Sequence, residues 1–166
     1  HHIVEIALFQ PDMATNAAAA IRLAACFGLP VTMIEPMGFI WDDRRLRRVG
    51  MDYIDGADIR RSPSWQAFER HRCERGQRLV LLTTRADQPY QEARYQADDI
   101  LLGGRESAGV PGEVHDAADI RVCLPMAPGF RSLNLVTALT MVLGEALRQT
   151  DGFPSHGVER SVSNDE

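Results

Sequence analysis

The sequence contains no lysine: all 18 of its basic residues are arginine, against 23 acidic ones, a formal net charge of −5. Bulk charge of that sign does not mark a nucleic-acid binder. Every cationic contact the chain makes can nevertheless be planar and bidentate. Cysteine is scarce too. Cys26, Cys73 and Cys123 are odd in number, far apart and without the CxxC spacing of a metal site. They are expected to be buried, reduced thiols of a cytoplasmic protein, with no metal. No apolar run approaches the ~20 residues needed to cross a bilayer, and no secretory leader is expected. His1 and His2 read as a tag remnant. There is no internal repeat. The first apolar segment is followed by QPDMATN, without a glycine, which excludes the G-x-G-x-x-G dinucleotide fingerprint at that place.

What is present is the composition of a globular domain, 166 residues of which 45% are hydrophobic and 25% charged. One domain is expected over residues 1–150, and a polar, pattern-free tail over 151–166. Ile3–Phe9 alternates and reads as a strand. Thr15 and Asn16 offer an N-cap to a helix whose apolar stripe is Ala17, Ala20, Ile21, Ala24 and Phe27, with Gly28 as its stop. VTMIEP reads as a second strand, DDRRLRRVG as a short polar helix or turn, and ADIRRS as a third strand. Ser62 and Pro63 open an amphipathic helix through SWQAFERHRCERG. RLVLLTT, DDILLGG and IRVCLPM read as strands buried on both faces, with a weak helix, GEVHDAAD, between the last two. A final helix is expected from about Ser132 to Thr150. Strands alternating with helices, several apolar throughout, predict an α/β fold: a mostly parallel sheet covered on both faces. In the last helix, Leu135, Leu139, Val142 and Ala146 form a stripe that Val136, Leu143 and Leu147 widen and Ala138 and Met141 carry further round. An arc broader than one sheet contact requires means either that the helix is central to the domain or that its outer face meets a second subunit, the reading favoured here.

Three stretches stand out chemically. In LLGGRESAGVPGE an apolar strand runs directly into Gly103 and Gly104, then Glu106; ligands of parallel sheets sit at such carboxyl ends, and glycine lets backbone approach them. On the first helix, Asn16 and Arg22 lie on neighbouring faces; the plainest roles are a cap for Asn16 and a solvated side chain for Arg22. The last helix opens with Arg131, Ser132 and Asn134, three hydrogen-bonding side chains packed around Leu133. Ser132 can cap. Arg131 opposes the helix dipole unless an anion, such as a phosphate, comes to the helix start.

Taken together, N-x-x-x-x-x-R-L (Asn16–Leu23), IEPMGFIWDDRRLRRVGMDY (Ile34–Tyr53), LTT (Leu82–Thr84), GRESAGVP (Gly104–Pro111) and LPMAPGFRSLNLVTAL (Leu124–Leu139) resemble the SPOUT superfamily of RNA methyltransferases. The resemblance covers about Ile3 to Thr150 and is closest to the small tRNA 2′-O-methyltransferases of the wobble nucleotide 34, a cytidine or modified uridine. It implies a homodimer, a C-terminal deep trefoil knot that general topology rules would not suggest, S-adenosylmethionine as methyl donor, and the anticodon stem-loop of a tRNA as partner. It further implies donor contacts from Leu82, Gly104, Leu124 and Ser132, with apolar contacts from Met126 and Leu133. Asn16, Arg22, Glu106 and Asn134 would converge on the reacting ribose, and Arg131, Arg47 and Arg48 would meet RNA. A guanidinium is a poor base, so Arg22 is expected to hold a developing alkoxide and a phosphate.

The chain departs from the family pattern at NAAA (Asn16–Ala19), where Asn-Thr-Gly-Asn is usual, and at Arg105, where Pro is common. Ala18 and Ala19 bear on how an RNA strand would lie against the first helix. They also keep two alternatives in view: a non-catalytic RNA-binding relative, and a methyltransferase acting on a different nucleotide. A flavodoxin-like module is disfavoured by WDDRRLRR and by the missing phosphate loop.

Overall fold

All five residues of the first strand, β1 (Glu5–Phe9), are buried, although their sequence alternates. The reason is position: β1 runs through the middle of a sheet and is covered on both faces. The structure, a computed structural model, describes residues 3–48, 56–86, 88–106, 108–130 and 133–155, excluding the side chains of 45 and 47. After β1 come α1 (Ala14–Phe27), β2 (Pro30–Ile34), α2 (Asp43–Arg48), β3 (Asp58–Ser62), α3 (Trp65–Glu74), β4 (Leu79–Leu82), β5 (Ile100–Gly103), α4 (Gly112–Ala117), β6 (Ile120–Val122) and α5 (Leu135–Thr150). A 3-10 turn spans Tyr90–Glu92. The strands form one six-stranded sheet in the order β3-β2-β1-β5-β4-β6, and each pairing is parallel. This is the expected α/β class.

Alternate residues of the central strands feed two cores. Ile6, Leu8, Val31, Met33, Val80 and Leu101 pack beneath α1 and α5. Ala7, Phe9, Ile34, Leu81 and Leu102 pack beneath α3 and α4. The polar exception in β1 is Glu5. Its carboxylate accepts from Gln77 Nε2 at 2.9 Å and has Arg60 and Arg75 at 3.5 and 3.6 Å, so a buried charge is matched. The outer strands are less enclosed. β6 is only three residues long and half-exposed, because at the sheet edge it lacks a second neighbour; the expectation of burial on both faces fails there. At the opposite edge, β3 carries Asp58, Arg60 and Arg61, charges that discourage pairing with another chain.

Helix starts differ from the sequence expectations. The N-cap position of α1 is Met13, with no side-chain cap, and Thr15 and Asn16 lie inside the first turn. Gly28 does end the helix, in the left-handed conformation at φ 68°. Ser62 belongs to β3, and α3 is capped by Ser64, whose Oγ accepts from Ala67 N at 3.0 Å. α5 starts at Leu135 and is capped by Asn134, not by Ser132, which lies outside the described residues together with Arg131. The broad arc of α5 is largely consumed within the domain. Val136, Ala138, Leu139, Val142, Leu143, Ala146 and Leu147 are buried, while Met141 stays exposed.

One further expectation is corrected. Cys26 and Cys73 are exposed and Cys123 is partly buried, because the first two sit near helix ends and off the core-facing stripes. At the end of α5, Asp151 closes the helix, Gly152 N donates to Leu147 O at 2.8 Å, and Phe153 packs edge-on against Phe27 at 5.9 Å. Residues 156–166 lie outside the described residues. Among the described residues no helix is long and apolar enough to cross a membrane.

Candidate active site

The carboxyl ends of β4, β5 and β6 open into one cavity of about 650 Å³, within the range usual for small-molecule sites. Two features of the sequence create it. β5 ends in Gly103, where a Cβ would stand 2.9 Å from Leu135 Cδ1 and 3.0 Å from Leu139 Cδ1; lacking one, β5 lets α5 close down on the sheet. At Gly104 a Cβ would meet the backbone carbon of Gly109 and Val110 Cγ1, both at 2.9 Å. The loop therefore folds back on itself. Arg105 N donates to Gly109 O at 3.0 Å, Gly109 N donates to Arg105 O at 2.7 Å, and Gly109 takes φ 65°.

The segment between β6 and α5 crosses back over these strand ends and supplies Leu124, Met126, Phe130 and Leu133 to the wall. Leu82, Val110 and Ala138 add apolar surface, and Thr83, Thr84, Glu106 and Asn134 add polar groups. Of the residues singled out in the sequence, Leu82, Gly104, Leu124, Met126, Leu133, Glu106 and Asn134 thus share one cavity. Asn16 stands just behind it.

The polar groups are linked. The Asn134 side-chain oxygen accepts from Val136 N at 3.0 Å and Thr137 N at 3.1 Å, satisfying two of the free amides of the α5 start. Its Nδ2 donates to Asn16 Oδ1 at 3.2 Å. Asn16 Nδ2 in turn donates to Glu106 Oε1. Asn16 is 6% exposed, so its carboxamide is not a helix cap but a buried link between two loops. Partial burial raises the Glu106 carboxyl above its ordinary pKa; a hydrogen bond with Asp12 and the charge of that second carboxyl add to the rise, against the pull of backbone and Asn16 hydrogen bonds.

Other residues are not gathered here. Arg22 is exposed on α1 and does not line the cavity; six residues beyond Asn16, it is about 9 Å further along the helix axis. Arg48 is exposed on α2. The side chain of Arg47, and Arg131 and Ser132 entirely, lie outside the described residues. Ala18 is 4% exposed and packed in the core, so its methyl does not face a surface strand of RNA; Ala19 is exposed. Arg105, by contrast, does line the cavity, and its guanidinium lies over the Phe9 ring, 5.6 Å from the centroid.

Lining residues that the sequence did not single out include Thr83, Thr84, Cys123, Val110 and Phe130. The only signal for the last was an aromatic placed directly after Pro128 and Gly129; in the structure it is 74% exposed at the cavity wall.

Fold and site define a class of α/β protein that receives a small molecule over the carboxyl edge of a parallel sheet, beside a fixed amide–carboxyl line. The particular family follows from comparison. Residues 3–144 match the SpoU rRNA Methylase family, and the chain belongs to it. A tRNA (cytidine(34)-2′-O)-methyltransferase of Beijerinckia indica is 53% identical over 144 residues, covering 87% of this chain and 90% of that one. A solved structure concerned with the 2-OH methylation of C/U34 on tRNA superposes with a TM-score of 0.83 at 36% identity, covering 89% of this chain and 96% of that one. An AdoMet-bound rRNA methyltransferase from Sinorhizobium meliloti superposes with a TM-score of 0.80 at 25% identity, covering 88% of this chain and 56% of that one.

Proposed function

We propose that this protein transfers a methyl group from S-adenosylmethionine to the ribose 2′-oxygen of nucleotide 34 of a tRNA, a cytidine or modified uridine, and does so as a homodimer. The observation that carries the reading is the Asn134–Asn16–Glu106 hydrogen-bonded line at the wall of the cavity. It occurs in a chain of this family whose relative at 53% identity bears that activity in its name.

The cavity fits the donor. Gly104 lines the cavity, and its missing side chain lets the Gly109–Val110 turn pack against it and shape the wall. Leu82, Leu124, Met126 and Leu133 suit an adenosine and a thioether-like chain. When bound, S-adenosylmethionine supplies a methyl already activated on a sulfonium. What the chain must add is alignment of a sugar oxygen, worth several kcal/mol when reacting atoms are held in line, and relief of the charge that develops there. Glu106 and Asn134 are placed to orient the ribose. Ser132 belongs to the donor side, and Arg131 to a phosphate.

Arg22 stabilises the developing alkoxide and an adjacent phosphate. Because it lies outside the cavity of its own chain, the reacting sugar must stand at the mouth of the cavity or meet the Arg22 of a second copy. The exposed Met141 on α5 supports a subunit contact. A C-terminal trefoil knot accords with β5 lying between β1 and β4 and with membership of the family. Arg47 and Arg48 extend the RNA-facing surface along α2. Mass spectrometry of nucleosides from tRNA incubated with protein and S-adenosylmethionine tests the reading: a 2′-O-methylated nucleotide at position 34 is expected, and unmodified tRNA refutes it.

A further inference from the structure

Among the described residues that line the cavity, Arg105 is the single cation, and it stands at a place where the chain departs from the family pattern. Its backbone is fixed. Arg105 N donates to Gly109 O at 3.0 Å and Gly109 N to Arg105 O at 2.7 Å, a short antiparallel bridge across the glycine loop. Its side chain is fixed as well: the guanidinium lies 5.6 Å from the centroid of Phe9, a ring held edge-on against Trp65 at 6.0 Å. What the guanidinium lacks is an anion. Arg72 and Arg78 are bound to the carboxylates of Glu69 and Asp99 at 2.7 and 2.8 Å. Among the described residues Arg105 enters no such pair, and its buried Nε–H meets no acceptor.

We propose that Arg105 binds the α-carboxylate of S-adenosylmethionine. The proposal rests on the methyltransferase reading and names the group that would receive the donor's amino-acid end. A carboxylate brought from water into a cavity needs a cation and hydrogen-bond donors, and a guanidinium offers both, in a fork that matches the two oxygens. The other polar groups of the wall are less suited. Glu106 is itself a carboxyl, and the Asn134 side chain is committed to the α5 amides and to Asn16. Phosphates of the RNA are the other oxyanions of the reaction, but they stay with the strand, whereas Arg105 belongs to the wall of a cavity of small-molecule size.

The Phe9 contact suits this role. A ring face attracts a guanidinium through its charge and leaves the N–H donors in the guanidinium plane available to a ligand. A side chain already held in place also loses less freedom when the ligand arrives.

Calorimetry with S-adenosylmethionine and with its decarboxylated form, which differ only in that carboxylate, tests the proposal on wild type, Arg105→Gln and Arg105→Lys. Wild type is expected to bind the full donor at least roughly tenfold tighter, the scale of a hydrogen-bonded charge. In Arg105→Gln that preference is expected to vanish, with affinity for the decarboxylated form and the thermal midpoint of the free protein little changed. Arg105→Lys, which keeps the charge without the fork, should retain part of the preference, and it decides the matter if loss of the Phe9 contact unfolds Arg105→Gln. A wild-type preference that survives intact in both variants overturns the proposal. So does an equal loss of affinity for the two compounds, which would make Arg105 a structural part of the wall. Unchanged donor affinity with a raised tRNA KM overturns it too, by putting a phosphate at Arg105. Wild type that binds neither compound overturns the donor reading, and the proposal with it.

Discussion

Arg22 and Asn16 share a helix and end in different worlds: one carboxamide buried between two loops, one guanidinium at the surface. The pairing of these two residue types was legible in the sequence; their separation was not, because helical spacing gives the face of a side chain but not which loops arrive against it. If Arg22 holds developing charge, Arg22→Ala should lower methyl transfer by ~100-fold or more, the scale of removing one charge-stabilising donor. Calorimetric binding of S-adenosylmethionine should persist; equal loss of both would remove Arg22 from the chemistry. Gly104 makes a sterically sharper prediction. In Gly104→Ala the new methyl would lie 2.9 Å from the backbone of Gly109, which cannot rotate away as a side chain could. Destabilisation of about 1–3 kcal/mol is expected from such overpacking, with weakened donor binding. A thermal midpoint and donor affinity equal to wild type would contradict the close approach.

At the scale of elements, helix ends proved harder to read than helix bodies. The stripe Ala17, Ala20, Ile21 and Ala24 is buried as its spacing implies, and Gly28 stops α1. Propensity favours serine and asparagine alike as caps, so Ser132 and Ser62 were expected at helix starts that the structure gives to Asn134 and Ser64. Each choice was made by strand length and by what the second side chain was needed for: β3 extends through Ser62, and α5 begins only once Asn134 can also reach Asn16. This double duty separates by mutation. Asn134→Ser keeps a capping oxygen and loses the amide donor, so stability should be nearly unchanged while kcat falls. Asn134→Ala loses both, and about 1 kcal/mol of stability with them. Equal thermal midpoints for the two variants would argue against the cap.

At the scale of the molecule, the sheet class followed from runs of apolar strand residues, but strand order did not, since nothing local says that β5 lies between β1 and β4. The cavity exists because of that order: it brings the ends of β4 and β5 beside the return path to α5. The broad arc of α5 was legible as an arc, and most of it is spent on the chain's own core, leaving Met141 for any outside neighbour. A homodimer predicts twice the chain mass by light scattering at micromolar concentration; a monomer would contradict it. The arginines of α2 make an independent prediction about RNA. Replacing Arg47 and Arg48 with alanine should weaken tRNA binding and reduce its salt slope by about one for each phosphate left without its arginine, and an unchanged slope would take α2 off the RNA surface.

The Asn134 carboxamide also has a direction. With its oxygen committed to the helix amides and its nitrogen to Asn16, it cannot be turned over, and Asn16 inherits the same orientation toward Glu106. The hydrogens of every link point one way, so the positive end of the α5 dipole is conducted through two neutral side chains to a carboxyl group. Changing either asparagine to aspartate, nearly identical in size, would set acceptor against acceptor and interrupt this conduction outright, so the charge swap should do more harm than its volume suggests.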